Sequence, residues 1–348
     1  AGKQLIFETG RIARQAGGSV YLKANDTVIL ATACQSSEPK EDIDFLPLRV
    51  DYQEKFSSAG KTLGGFIKRE GKPTEHEVLT SRLIDRPIRP LFEDGYFQEV
   101  QLLSYVLSYD NTCMPAPLAL CAASAALVIS EIPFKKPIAA VCVGMIDGEF
   151  IINPTYEQMQ ESELELMLAG SKEAILMIEG YCDFLTEDQI LQAIDEGHAA
   201  IKEICIQLEE WASRIGKEKR RENLIPTPTE LVDEIKSMIS EDVKGAVAIA
   251  DKLERETRLS EIKDGVKSHF LDCEEPQYKK SHVGLALKQV IAGVMRTMIL
   301  DKSVRSDGRR LDEIRQITGE TTLLPRTHGS ALFTRGETQA IAVCTLGG

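Results

Sequence analysis

The chain is short of the residues that would build a metal centre or a disulfide frame. Its eight cysteines, Cys34, Cys113, Cys121, Cys142, Cys182, Cys205, Cys273 and Cys344, are scattered, and none falls in a CxxC pair. Most lie in apolar segments, which reads as buried thiols of a reducing compartment rather than disulfides or zinc ligands. The five histidines, His76, His198, His269, His282 and His328, do not gather with them, so no metal site is expected in this chain. No uninterrupted apolar run approaches a membrane span. Ala1-Gly2-Lys3 leads straight into strand-like sequence, with no signal peptide in view. Cations are the minority: 41 Lys and Arg against 54 Asp and Glu leave a formal net charge of -13. A P-loop is missing too. Ala59-Gly60-Lys61-Thr62 ends like one, but Lys55 stands where its first glycine is required.

What is present is ordinary globular composition, 43% hydrophobic and 27% charged, over 348 residues, enough for two domains or more. Residues 61–92, KTLGGFIKREGKPTEHEVLTSRLIDRPIRPLF, run against the acidic background. There Lys61, Lys68, Arg69, Lys72, Arg82, Arg86 and Arg89 outnumber Glu70, Glu75, Glu77 and Asp85. A local cationic excess of this kind can mark where a polyanion is handled. Gly64 and Gly65 free the backbone to place Phe66, Ile67, Lys68 and Arg69 at a loop tip. A ring beside two cations suits single-stranded nucleic acid, with stacking worth roughly 1–3 kcal/mol per base. The same residues would also serve as a plain hairpin tip around one buried Phe.

Thr74 and Glu77 have the spacing of a capping box, and Val78, Leu79, Leu83 and Ile84 would supply the buried face of the helix that follows. Arg82 and Arg86 share one side of that helix until Pro87 discourages its continuation. Both would also satisfy the helix dipole without any ligand. Arg89 lies beyond the stop and is harder to explain that way.

Along the chain, residues 5–7, 19–23, 27–33, 46–52 and 100–108 read as strands, and 118–129 as an alanine-rich helix. Asp147-Gly148 joins 138–145 to 149–152 as a hairpin, and Gly170-Ser171 joins 164–169 to 174–179. A second capping box, Thr186 with Gln189, opens the longest helix. Its stripe is Ile190, Ile194, Gly197, Ile201, Ile204, Leu208 and Trp211. Residues 1–215 are therefore expected to form an α/β (α+β) domain of mixed sheets and packed helices. Residues 216–229, densely charged over 217–221 and punctuated by Pro226-Thr227-Pro228, read as a linker. Residues 230–303 read as all-helical, through patterns such as Leu231-Ile235-Met238 and Val290-Val294-Met298. A turn at Ser306-Asp307-Gly308-Arg309 returns the chain to strand-like sequence over 304–348.

That last part repeats the first. Shifted by 311 positions, Gly18-Ser19-Val20-Tyr21-Leu22 falls on Gly329-Ser330-Ala331-Leu332-Phe333, Asp26-Thr27 on Glu337-Thr338, and Ala31 on Ala342. A second copy of the first domain is expected to begin here and to be cut off at Gly348, so the chain reads as part of a longer protein. Arg326, His328 and Arg335 stand in the second copy where the first has Gln15, Gly17 and Ala24, with Ser330 on Ser19, which fits one copy specialised for chemistry and the other for structure or RNA guidance.

At this point the chain resembles the polynucleotide phosphorylase family over essentially its whole length. The strings that carry this are FETGRIARQAGGSV, DFLPLRVDYQEKF, GGFIKREGKPTEHEVLTSRLIDRPIRPLF, SDGRRLDEIR and LPRTHGSALFTRGETQAIAVCTLG. The resemblance implies two ribonuclease PH-like cores joined by an all-helical domain, in a homotrimeric ring through which RNA threads. It implies a constriction loop at Phe66, Ile67, Lys68 and Arg69, where many members have Phe-Phe-Arg-Arg. Ile67 and Lys68 depart from that pattern by one ring and one planar guanidinium. It further implies 3′-to-5′ phosphorolysis of single-stranded RNA to nucleoside diphosphates, with inorganic phosphate as co-substrate and Mg²⁺ or Mn²⁺ held by the second core. The catalytic residues are then expected beyond Gly348, so none is assigned here. Arg82, Arg86 and Arg89 are candidates for the RNA path. Arg309, His328, Ser330 and Arg335 are candidates for support at the opening of the second core, although strand ends and turns explain the last three equally well. A helicase or endoribonuclease partner, no membrane, and a cytoplasmic location (an organellar matrix in a eukaryote) complete the expectation. A non-catalytic ring protein that guides RNA is the alternative. Ribonuclease PH itself is a single core, which the helical insert and second copy count against.

Overall fold

The computed structural model describes residues 4–39, 43, 45–64 and 70–347. It falls into two units, Ala1–Pro226 and Thr227–Gly348.

The first unit is organised around α2 (Pro115–Ile129), in which every residue but Pro115 and Ala116 is buried. A helix apolar all round needs cover on all sides. One sheet supplies part of it: β1 (Leu5–Glu8), β2 (Gly18–Ala24), β3 (Thr27–Pro39), β4 (Leu48–Glu54) and β5 (Gln98–Ser108), in the order β1-β2-β3-β5-β4. Its pairs are antiparallel except β4 with β5. Gly18 admits α2 closely, since a Cβ there would lie 2.0 Å from the carbonyl oxygen of Ala126. A second, antiparallel sheet is built from β6 (Ala139–Ile146), β7 (Glu149–Ile152), β8 (Leu164–Gly170) and β9 (Ile175–Cys182), in the order β7-β6-β8-β9. The Asp147-Gly148 turn holds both residues at positive φ, as a two-residue hairpin requires.

A short helix α3 (Tyr156–Glu161) opens with its own capping box, Thr155 with Gln158. The expected long helix is α4 (Glu187–Ile215), capped by Thr186 and Gln189 and buried along Ala193, Gly197, Ile201, Cys205 and Leu208. Gly197 lets it settle on β6 and β8; a Cβ there would meet Leu168 at 2.4 Å.

Helix α1 (Glu75–Ile88) also starts as expected, but its buried face is rotated. Glu77, Thr80, Ile84, Pro87 and Ile88 are buried, whereas Val78 and Leu79 are about half exposed. The cause is Glu77, which accepts from the Thr74 and Glu54 backbone amides at 2.6 and 2.9 Å and so turns inward. Pro87 does not end the helix. It sits one residue from the end, followed by a short 3₁₀ turn at Arg89–Leu91. A missing donor so near the terminus forfeits one bond only, and the Arg89 amide still reaches the Asp85 carbonyl.

The charged stretch read as a linker is a strap held on the first unit. Lys217 Nζ donates to Gly17 O, Arg221 pairs with Glu93 at 2.7 Å, and the Ile225 amide donates to Gly95 O at 2.9 Å. Between them Lys219 is drawn into the interior (below).

In the second unit, α5 (Thr229–Val247), α6 (Lys252–Leu271) and α7 (Lys280–Lys302) form a bundle around Leu231, Ile235, Ile239, Val243, Val266, Phe270, Val283, Leu287 and Val290. The α5 row continues at Ile239; Met238, expected there, is 42% exposed. One helix does reach span length: α7 is long and apolar enough to cross a membrane by length and composition alone. One of its faces closes the bundle core.

The last three strands, β10 (Ile317–Thr321), β11 (Gly329–Arg335) and β12 (Thr338–Cys344), form an antiparallel meander. It reproduces β1-β2-β3. Gly18 pairs with Ala33 in the first copy and Gly329 with Cys344 in the second, each 311 positions on. Each hairpin turns through two residues with the first at positive φ, Asn25 in one and Gly336 in the other. The mixed sheets, packed helices, helical region and returning strands read from the sequence are thus the observed ones.

Candidate nucleic-acid interface

The candidate site is built outward from the end of β4. After Glu54 the chain makes a 3₁₀ turn, Phe56–Ala59, closed by Gly60 in the left-handed region. It re-emerges at Glu70, whose carboxylate accepts from Lys55 Nζ at 2.7 Å and from the Phe56 amide at 3.3 Å. Lys55 in turn lies 4.6 Å over the Tyr105 ring. Phe66, Ile67, Lys68 and Arg69 lie outside the described residues; what is visible is a fixed base on either side of them.

From that base α1 leads away. Burial opposes the charge on Glu77, but the Thr74 and Glu54 amides and the Thr74 hydroxyl outweigh it and hold the carboxyl below its usual range. Glu77 therefore fixes the start of α1 as an anion. His76 beside it reaches Glu54 at 3.3 Å, and Glu54 also accepts from the Tyr52 hydroxyl at 2.7 Å.

The three candidate arginines separate by environment. Arg82 is exposed and has no hydrogen bond or ion pair among the described residues. Arg86 is exposed with a loose partner, Glu179 at 3.9 Å. Arg89 is engaged on all sides: Nε and Nη2 donate to Asp85 at 2.9 and 2.8 Å, Nη1 to Leu46 O and Nη2 to Leu48 O. Its fork ties the end of α1 to the start of β4, a structural task that explains its place past Pro87.

The candidates of the second copy belong to the second unit. Arg309 donates to Asp307 at 3.0 Å and to Glu313 O at 2.6 Å, which locks the turn. Burial opposes the charge on Asp307, yet the Arg309 contacts hold its carboxyl below the usual range. His328 Nδ1 accepts from the Leu346 amide at 2.9 Å, so its neutral form carries the proton on Nε2. Ser330 Oγ accepts from the Leu324 amide at 2.8 Å. Arg335 closes the β11-β12 hairpin opposite Thr338.

One further cavity, about 360 Å³, is lined by Glu54, His76, Tyr109, Met114, Tyr156 and Glu165 among others, with the start of α2 at its wall. A helix start can hold a phosphate through its amides. Here Pro115 and Pro117 remove two of those donors and two carboxylates face the space, so the arrangement disfavours an anion. Among the described residues no group of three or more His, Cys, Asp or Glu could hold a metal ion.

Sequence reasoning missed Lys55 and Glu70 as a pair, and Lys219. The last donates to Leu127 O, Val128 O and Ser130 O at 2.7–3.0 Å, satisfying the carbonyls at the C-terminus of α2. The alternation Lys217, Lys219, Arg221 was the available signal for a docked extended segment.

Comparison with known proteins agrees with this layout. Residues 1–133 match the 3′ exoribonuclease family, domain 1, and residues 136–200 match domain 2 of that family. Residues 230–310 match the polyribonucleotide nucleotidyltransferase RNA-binding domain. The polyribonucleotide nucleotidyltransferase of Protochlamydia amoebophila is 58% identical over 347 residues, covering 99% of this chain and 50% of that protein. Its counterpart from Chlamydia pneumoniae is 49% identical over 346 residues, with the same coverage. The chain thus spans about half the length of these relatives. Among solved structures, rice Rrp46 superposes with a TM-score of 0.50 at 18% identity, over 60% of this chain and 94% of its own, which shows a shared fold. The chain belongs to the 3′ exoribonuclease family and corresponds, over its length, to the amino-terminal half of the polyribonucleotide nucleotidyltransferases.

Proposed function

We propose that this chain is the RNA-guiding half of a 3′-to-5′ phosphorolytic exoribonuclease. The observation that carries the reading is the succession of two exoribonuclease domains and the RNA-binding domain, with 58% identity to a polyribonucleotide nucleotidyltransferase across the chain. In the proposed reaction inorganic phosphate attacks the terminal phosphodiester and releases a nucleoside diphosphate. A phosphodiester is exchanged for a phosphoanhydride, so polymerisation is the same step reversed. Mg²⁺ or Mn²⁺ would neutralise the developing charge, held by residues outside this chain. The contribution of this half is electrostatic and positional. The Phe66–Arg69 motif, with the exposed Arg82 and Arg86, would draw and stack the strand, while Arg89 holds the scaffold behind them. A homotrimeric ring in a reducing compartment, cooperating with a helicase or endoribonuclease, belongs to the same proposal.

The second reading is a ring protein that guides RNA without cleaving it. The test uses single-stranded RNA, phosphate and Mg²⁺ with this chain and with the full-length protein. Nucleoside diphosphate release by the full-length protein, with RNA binding but no release by this chain, is expected. No release by the full-length protein favours the guide. Release by this chain alone would place an active site in the first core and overturn both.

A further inference from the structure

The cavity at the start of α2 pairs carboxylates with aromatic rings and holds no strong cation to answer them. Tyr109 and Tyr156 bring rings to it, Met114 and Met159 bring thioethers, and Glu54 and Glu165 bring charge. Among the described residues that line it there is no lysine or arginine. Glu165 extends from β8, and its carboxylate has no hydrogen bond or ion pair among the described residues. Glu54 accepts from the Tyr52 hydroxyl at 2.7 Å and meets His76 at 3.3 Å, but both contacts use Oε1. Its Oε2 is left without a hydrogen bond among the described residues. Burial, and next the charge of Glu54, raises the Tyr109 hydroxyl above its usual range, so negative potential reaches that ring.

We propose that this cavity binds an alkyl diamine, with an ammonium group at each of the two carboxylates and the chain between them against the rings. An ammonium is drawn to an aromatic face by the ring quadrupole, and thioethers adapt their packing to an alkyl chain. The walls are held in place. Tyr156 opens α3 behind its capping box, and its amide donates to Asn111 O at 3.0 Å. Glu165 is fixed in the β8-β9 ladder opposite Tyr181. A volume of about 360 Å³ lies at the lower end of ligand pockets, which suits a small molecule. A nucleotide is the poorer fit, because the carboxylates repel its phosphates and Pro115 and Pro117 take away amide donors. A bare divalent ion is poorer too, since the described residues offer no set of three ligands and rings and thioethers add nothing to its hard coordination.

The test is isothermal titration calorimetry of the full-length protein, free of RNA, with putrescine and with its uncharged diol analogue. Putrescine is expected to bind and the diol is not. Glu165→Gln and Tyr156→Ala, both at exposed positions, should each weaken putrescine binding about tenfold and leave the melting temperature unchanged. Glu149→Gln, which removes the same charge from an exposed position outside the cavity, should leave the affinity as it was. Absence of putrescine binding overturns the proposal. An equal loss in Glu149→Gln and Glu165→Gln also overturns it, because the attraction would then be that of an acidic chain as a whole. Displacement of putrescine by the same concentration of Mg²⁺ would assign the space to an inorganic ion. Tighter binding of Nα-acetyl-lysinamide than of putrescine would assign it to a lysine side chain of a partner protein, and either result rules out the diamine.

Discussion

Lys55 and Glu70 form a partly buried ion pair, Nζ to Oε2 at 2.7 Å, across the base of a locally basic stretch of an acidic chain. The pair pins the residue that follows the Phe66–Arg69 motif to the end of β4. Glu70→Gln is expected to cost about 1 kcal/mol or less in stability, the range of a pair that keeps some solvent access. Its effect on single-stranded RNA affinity in the full-length protein should be larger than that loss explains. Recovery of affinity in Lys55→Glu with Glu70→Lys would confirm positioning by the pair. Unchanged affinity in Glu70→Gln would show that the base does not set the grip.

Arg89 and its neighbours on α1 are expected to respond in opposite ways. Arg89→Ala removes a donor that Asp85 and the Leu46 and Leu48 carbonyls share in exposed positions, and should lower stability by about 1 kcal/mol. Arg82→Ala and Arg86→Ala should leave the melting temperature unchanged and weaken RNA binding, with a shallower salt dependence. Denaturant melts set beside binding isotherms at two salt concentrations separate the two classes. A stability loss at Arg82, or none at Arg89, would contradict the assignment.

That contrast shows where sequence was legible. Capping boxes at Thr74 and Thr186, the α4 stripe through Gly197 and the Asp147-Gly148 hairpin were read correctly because their partners lie within a few residues. The meander repeat was legible because strand register follows turn position, and both copies turn at equivalent places. The tie from Arg89 to Leu46 and Leu48 was not legible because these acceptors lie more than 40 residues away. Val78 and Leu79 were placed inside for a related reason. Helical periodicity allows more than one face, and a buried carboxylate, Glu77, chose another one.

Asp110 should govern part of the acid limb of stability. It accepts from the Asp26 amide, the Thr27 hydroxyl and both the amide and hydroxyl of Thr112, at 2.7–2.9 Å, pinning the β2-β3 hairpin beside α2. Burial opposes its charge, but these four donors prevail and bring its pKa down to about 2 from 3.8. A depressed carboxyl stabilises the fold above its unfolded value and loses that contribution as pH falls through the folded one. Wild type should therefore lose stability relative to Asp110→Asn between about pH 4 and pH 2. Parallel melting curves for the two proteins across that window would refute the role.

Lys219 makes the opposite case, at the alkaline end. Its ammonium lies in the interior with all three hydrogens directed at carbonyls of residues 127, 128 and 130, closing the C-terminus of the helix at the centre of the first unit. Lys219→Met removes those donors and should destabilise the first unit by about 1–3 kcal/mol at neutral pH. Burial, and to a smaller extent Arg221, lowers the pKa of this lysine to about 8 from 10.5. Between those values the unfolded chain holds more protons than the folded one, so this group makes stability rise with pH. The difference between wild type and Lys219→Met should accordingly grow from pH 8 towards pH 10. A difference that shrinks instead would mean that the carbonyls favour the charged lysine more than burial disfavours it, and the strap would loosen, not tighten, as the solution becomes alkaline.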